Sequence, residues 1–444
     1  MNSTSMSKEK RLTNRWWQLA GCILMMMAIA NLQYAWTLFT IPLTKALGVK
    51  LSAVQIAFTL FILLETWLVP FEGWLIDNFG ARLVVTVGGL MVGLSWIGSG
   101  MVASLGGLYF WYGFGGIGAG AVYGACMGQA LKWFPDRRGL AAGLTAGSYG
   151  FGTALTVLPI QSMINNSGYQ QAFIIWGIIQ GIVVMAISQF TVAPPEGWKP
   201  AGWKPAASIQ ASQSAISYTP VQMLGSGAFY LMYFMMALVA FGGLMVTAQL
   251  KPMAATYGLD KSVVILGLTA LSMALMLDRI LNGLTRPFWG WVSDHIGRYN
   301  TMALAFALEG CAIIALLKLV HRPLWFVILT GLTFFAWGEI FSLFPAAIGD
   351  IFGSKYATTN YGIQYTAKGT ASIFAGWGAA KILEVTGSWI PVLWIAVACD
   401  LTAAFLAISA LKPLVARRMA RVRPAVPGAA IATSAPATTS ISGN

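Results

Sequence analysis

Charged side chains make up only 9% of these 444 residues, while 57% are hydrophobic. A soluble surface of this size needs far more ionic groups, so the balance excludes a soluble globular class and predicts an all-α, polytopic membrane protein. Histidine is nearly missing: His295 and His321 are the only two, both at the edges of apolar runs. Their scarcity leaves no buried ligand for haem or zinc and no imidazole base, so neither a membrane enzyme nor a metal or other cofactor is expected. The four cysteines, Cys22, Cys126, Cys311 and Cys399, all fall inside apolar runs without Cys-x-x-Cys spacing. That pattern indicates neither a disulfide framework nor a zinc site, and the thiols read as packing residues. A cleavable signal peptide is also missing, because the run starting near Trp17 is too long for one and reads as the first retained helix.

What is present is a series of twelve apolar runs near the length that spans a bilayer as helix. They cover roughly 17–39, 53–76, 83–104, 107–130, 140–162, 170–193, 227–249, 265–292, 301–319, 324–347, 361–383 and 388–411. The net charge of +13 invites a nucleic-acid partner, but its distribution points elsewhere. With the amino terminus placed inside, cytoplasmic segments hold 17 Lys and Arg, outer loops 7, and three more (Arg279, Arg286 and Lys368) lie within spans. This asymmetry predicts an inner (plasma) membrane protein with both termini cytoplasmic, surrounded by lipid and without a nucleic-acid partner.

The stretch Pro70–Arg82, PFEGWLIDNFGAR, is written again from Pro287 at a constant offset of 217, with six identities in thirteen positions. Each copy follows the second helix of a six-helix set, which predicts twelve transmembrane helices in two six-helix halves. The expected layout is a bundle over 1–193 with a cytoplasmic N-tail, a linker over 194–224, a second bundle over 225–411, and a largely disordered tail over 412–444. Internal repetition around a central site is how many secondary transporters are built, since rocking one half against the other exposes the site to each side in turn. The pattern Gly-x-x-x-Asp-x-x-Gly-x-Arg, echoed in the second copy, resembles the signature loop of the major facilitator superfamily and implies that fold. Asp77 with Arg82, and Asp294 with Arg298, stand where a carboxylate meets a cation or a helix terminus, forming latches that break as the halves rock. Glycines at four-residue spacing (Gly116, Gly120, Gly124, Gly128; Gly139, Gly143, Gly147) predict close helix approach. The match of Gly113, Gly115 and Gly118 to a dinucleotide fingerprint is rejected, because it lies inside a membrane helix with no strand before it.

An ionised group at the bilayer centre costs on the order of 2.5 to 3.5 kcal/mol, so each one retained there is paired, snorkelling or functional. Arg286 precedes Asp294 by eight residues, which puts it roughly 12 Å from the helix end, close to midplane. Lys368 lies about two turns inside its helix. Arg279, Asn282 and Arg286 share a face at i, i+3, i+7. Asp278 is placed to pair with Arg279 or a neighbouring helix, and Glu65, Glu339 and Asp400 are the other deep acids. Of these Glu339 stands out, since its helix belongs to the same half as Arg286 and Lys368.

The segments NGLTRPFWGWVSDHIGRYNTM, FFAWGEIFSLFPA, DIFGS, NYG…AKGTASIF, LQYAWTLF and WFPDRRGLAAG together resemble the oxalate/formate antiporter family of that superfamily. The resemblance implies that Arg286 and Lys368 hold the carboxylates of a small dianion. It also implies an aromatic and polar cage at Gln33, Tyr34, Tyr123, Tyr149 and Trp337, with Tyr365 and Phe341 where the family's pattern has other rings and Glu339 where it has a small residue. Exchange of small organic anions, oxalate against formate, is therefore expected from a monomeric carrier. The alternative is a proton-coupled monocarboxylate (pyruvate or formate) transporter in which Glu339 carries the proton. A transporter-like sensor without flux is weakened by the lack of a large cytoplasmic domain.

Overall fold

A computed structural model describes residues 14–195, 198–200, 217–265, 267–353 and 356–422 of the chain. The N-tail before residue 14, the second Trp-Lys-Pro of the linker and the tail after residue 422 lie outside the described residues. The Asn14 side chain accepts from the Trp16 amide at 2.9 Å and caps α1 (Arg15–Tyr34), which bends at Ala35 into α2 (Trp36–Leu47). The next pair, α3 (Leu51–Trp67) and α4 (Val69–Phe79), meets at a 49° bend, where Pro70 has no amide to donate. There follow α5 (Ala81–Met101), α6 (Leu105–Trp133), α7 (Arg138–Phe151), a single 3₁₀ turn, α8 (Val157–Ser167) and α9 (Tyr169–Ser188).

After the linker come the short α10 (Pro220–Leu224) and the long α11 (Gly227–Thr256). Residues expected to open the eighth span instead form an antiparallel hairpin, β1 (Val263–Ile265) and β2 (Leu268–Thr269). The helix itself, α12 (Ala270–Ile296), starts where the Thr269 hydroxyl accepts from the Ser272 amide at 3.2 Å. It stops at Gly297, whose φ of 86° a side chain disfavours. Then come α13 (Arg298–Leu319), α14 (Pro323–Trp337) broken at Gly338–Glu339 from α15 (Ile340–Phe352), α16 (Ala357–Ile373), a π turn, α17 (Ala379–Thr386), α18 (Ile390–Leu406), a second π turn and α19 (Lys412–Val422). Among the described residues seven segments are long and apolar enough to cross a membrane, or eight if the bent α3–α4 pair counts as one span. The molecule is therefore a multi-pass, all-α membrane protein.

Helix α6 packs against α1, α3 and α5, while α13 packs against α14 and α18 and α11 against α16 and α18. The helices of the first 200 residues meet the later ones through α7 with α12, α3 with α16, and α2 with α11. Glycine permits several of these approaches. At Gly120 an added Cβ would sit 2.7 Å from the Glu65 carbonyl oxygen, and at Gly147 one would sit 3.1 Å from the Gly283 carbonyl oxygen. The glycine stripes thus divide: Gly116, Gly120 and Gly147 sit against neighbouring backbone or carboxylate, whereas Gly124, Gly128 and Gly143 face open space. Gly139 is outside the residues whose surroundings are described.

One set of bonds joining the two parts of the chain lies where the starts of α2 and α3 meet the later half of α11 and α17. There the Lys251 amide donates to Thr37 Oγ1 at 2.8 Å and Lys251 Nζ to the Leu38 carbonyl at 2.7 Å. The Ser52 amide donates to Glu384 Oε1 at 2.8 Å, and Gln55 Nε2 reaches the Ala248 carbonyl at 2.8 Å and Gln249 Oε1 at 3.0 Å.

Candidate functional site

Further along the bundle four of the deep charges, Lys368, Glu65, Arg286 and Arg279, come together. Lys368 on α16 is fully buried, and its ammonium donates to Glu65 Oε2 at 2.8 Å, Gln33 Oε1 at 2.9 Å and the Tyr365 hydroxyl at 3.2 Å. Glu65, from α3, is equally buried, and its other oxygen accepts from the Tyr149 hydroxyl at 2.7 Å. Tyr149 also lies 3.0 Å from Gln33 Oε1. An ammonium has three donors, and all three of Lys368 meet acceptors of the chain itself.

Arg286 is 2% exposed, donates to the Ala146 carbonyl and lays its guanidinium 4.6 Å from the centre of the Phe341 ring. Among the described residues no carboxylate pairs with it, and its Nε has no partner. Two turns away on the same face, the guanidinium of Arg279 is held between the rings of Tyr34 at 4.4 Å and Phe334 at 4.0 Å. Such cation–π contact stabilises a desolvated guanidinium without neutralising it. Between them Asn282 Nδ2 donates to the Tyr34 hydroxyl at 3.1 Å. Asp278, expected to pair with Arg279 or a neighbouring helix, forms no close ion pair with Arg279 among the described residues, because adjacent positions on a helix point about 100° apart, but it interacts electrostatically with Arg279 and meets Thr330 of α14.

Aromatic rings join these groups into one wall. Tyr34 and Tyr123 each lie 5.4 Å from Tyr149, Tyr123 stacks on Tyr365 at 5.9 Å, and Phe341 meets Tyr365 at 6.1 Å and Trp337 at 5.2 Å. Arg286, Lys368, Gln33, Tyr34, Tyr123, Tyr149, Trp337 and Tyr365 therefore occupy a single connected cluster built from both parts of the chain. Trp337 keeps its position by pressing its ring on Gly243 of α11, where no Cβ fits.

Glu339 falls elsewhere. It sits fully buried at the α14–α15 break, its carboxylate has no hydrogen-bond partner among the described residues, and it interacts electrostatically with Glu309, which in turn faces Asp400 across Gly242. The acid that reaches Lys368 is Glu65. Sequence position hid this, because Glu65 and Lys368 are 303 residues apart and only the approach of α3 to α16 joins them. At the ends of the repeated stretch, Arg82 Nε donates to the Thr191 carbonyl at 3.2 Å. Arg298 takes Asp350, at the end of α15, at 2.7 Å and lies 3.9 Å from the exposed Asp294. The Asp77 side chain lies outside the described residues.

Residues 21–376 match the Major Facilitator Superfamily. A curated relative, the oxalate:formate antiporter of Oxalobacter formigenes, is 37% identical over 381 residues, covering 85% of this chain and 87% of that protein. The chain belongs to the major facilitator superfamily, in the family of that antiporter. An uncharacterised transporter of the superfamily from Escherichia coli, YhjX, is 25% identical over 81% of the chain and 86% of its own length. Human monocarboxylate transporter 14 shares 29% identity over 154 residues, 34% of this chain and 29% of that protein. As a member of the major facilitator superfamily the chain is a membrane transporter and not an enzyme.

Proposed function

We propose that this transporter carries small carboxylates by alternating access, with oxalate entering against formate as the favoured pair. In this proposal twelve spans form two six-helix halves, 1–193 and 225–411, around the cation centre. The linker 194–224 and both termini lie on the cytoplasmic side of the inner membrane, and the protein works as a monomer. The observation that carries the proposal is a guanidinium and an ammonium, both buried, set in one wall of tyrosines drawn from both parts of the chain. Two buried cations in a water-poor interior suit an anion with one or two carboxylates, because charge-assisted hydrogen bonds are strongest where the dielectric is low. The tyrosine hydroxyls add donors, and the rings exclude water. The bonds at Lys251, Ser52 and Gln55 close the end of the bundle away from the termini, and their rupture opens the site to that side. Arg82, Arg298, Asp77 and Asp294 serve as the gating set at the opposite end, with Asp350 as the nearer partner of Arg298.

The test is uptake of labelled oxalate into proteoliposomes preloaded with formate, oxalate, pyruvate or nothing. Stimulation by internal carboxylate is the expected result, and uptake indifferent to every carboxylate, inside or outside, contradicts the proposal. Proton-coupled monocarboxylate transport is the alternative. The carboxylate beside Lys368 speaks for it, and uptake that follows an imposed proton gradient whatever the internal anion decides for it. Glu339 and Glu65 are the residues to replace there.

A further inference from the structure

The two central cations are not equivalent. Lys368 has its charge matched by Glu65 and its three donors occupied by Glu65, Gln33 and Tyr365. Arg286 has neutral neighbours instead, the Ala146 carbonyl, the Phe341 ring and the Tyr123 hydroxyl, and no carboxylate partner among the described residues. A cargo carboxylate therefore docks at Arg286 directly but reaches Lys368 only by displacing a carboxylate the protein already supplies. Glu65 is suited to that exchange of partners, since it sits on α3 while Lys368 sits on α16, and the Tyr149 hydroxyl at 2.7 Å remains its donor when the ammonium is given up.

We propose that Glu65 is a built-in counter-carboxylate that competes with the cargo's carboxylate for Lys368 and takes its place whenever cargo departs. This rests on the carboxylate-transport proposal above and adds its stoichiometry. A carrier whose cations stand bare resists occlusion, because a buried unpaired charge is costly, and such a carrier is tied to strict exchange. Here the ammonium stays matched through the return step, so one buried charge rather than two is left without a counter-charge, and that guanidinium keeps the Ala146 carbonyl and the Phe341 ring. The carrier thus returns without cargo, and net transport accompanies exchange. The competition also weakens cargo binding, because part of the interaction with Lys368 is used to remove Glu65.

The experiment compares wild type with Glu65→Gln, which keeps one oxygen for Lys368, turns an amide NH2 toward the Tyr149 hydroxyl and removes the charge. Labelled oxalate uptake is measured into vesicles loaded with formate and into unloaded vesicles. Wild type is expected to fill both. Glu65→Gln is expected to retain loaded uptake with KM lowered about tenfold, and to lose unloaded uptake about tenfold relative to loaded. Wild-type uptake confined to loaded vesicles overturns the proposal, as does a Glu65→Gln carrier whose KM and loaded-to-unloaded ratio equal those of wild type. If no carboxylate drives or competes with uptake in wild type, the carboxylate reading itself fails, and that outcome is distinct from either of the others. Should Glu65→Gln not fold, Glu65→Asp, which draws the carboxylate back by one methylene, is measured in the same way, and an unchanged KM and ratio there overturns the proposal equally.

Discussion

Replacing Lys368 by methionine leaves Glu65 as an uncompensated carboxylate in a fully buried site. Removing one partner of a buried pair costs about 3–5 kcal/mol, while replacing both with neutral groups of similar size is often close to neutral. The 2.8 Å contact joins side chains that are each 1% exposed, so solvent screening does little to soften the loss. Lys368→Met is therefore expected to destabilise the protein by about 3–5 kcal/mol. Glu65→Gln alone, which keeps one oxygen for the ammonium and turns an amide NH2 toward the Tyr149 hydroxyl, is expected to cost about 1–3 kcal/mol. The double variant should lie within about 2 kcal/mol of wild type, a coupling of at least about 2 kcal/mol between the two sites. Denaturant titration of the four proteins in mixed micelles measures it. Single losses that add to within about 0.5 kcal/mol mean that the pair carries no coupling energy and refute the reasoning.

Three further outcomes follow from the geometry. Arg286→Gln removes a central cation that has no carboxylate partner among the described residues, and about 3 kcal/mol of charge-assisted contact to cargo goes with it; exchange KM should rise about a hundredfold, and a change under threefold contradicts the assignment. Gly120→Leu puts a side chain where Glu65 and Glu72 already stand and should abolish folded protein in size-exclusion profiles, whereas Gly124→Leu, facing open space, should leave the profile intact. Gln55→Leu removes the bonds to Ala248 and Gln249 and strips Trp36 Nε1 of its acceptor at 2.9 Å. Thiol labelling of a cysteine introduced at Thr37 should then accelerate several-fold, and an unchanged rate contradicts the role given to this seal.

Much of this architecture was legible in the sequence because membranes impose simple rules. Length and hydropathy alone locate α5, α9, α11, α13 and α18, and a repeat at constant offset marks Gly80 and Gly297, both found at positive φ. The family resemblance points to rings and cations that the fold places next to one another, and their part in binding is a proposal. What escaped was partnership. Whether a deep acid pairs with Lys368, as Glu65 does, or faces other acids, as Glu339 does, depends on helix rotation and packing across hundreds of residues. Local breaks escaped as well. The hairpin at Val263–Thr269 is an apolar stretch whose composition does not separate strand from helix, and only the Thr269 cap marks where α12 begins. No motif marks Glu309 or Glu72, although each is buried with no hydrogen-bond partner for its carboxylate among the described residues.

The most direct test of carboxylate carriage through this centre is counterflow. Purified protein is reconstituted into vesicles holding unlabelled formate, diluted into labelled oxalate, and compared with Arg286→Gln at matched protein density. The account predicts a transient overshoot of internal label with wild type and a loss of that overshoot with the variant. An overshoot of equal height and duration in both proteins, or none in wild type with any small carboxylate inside, contradicts it.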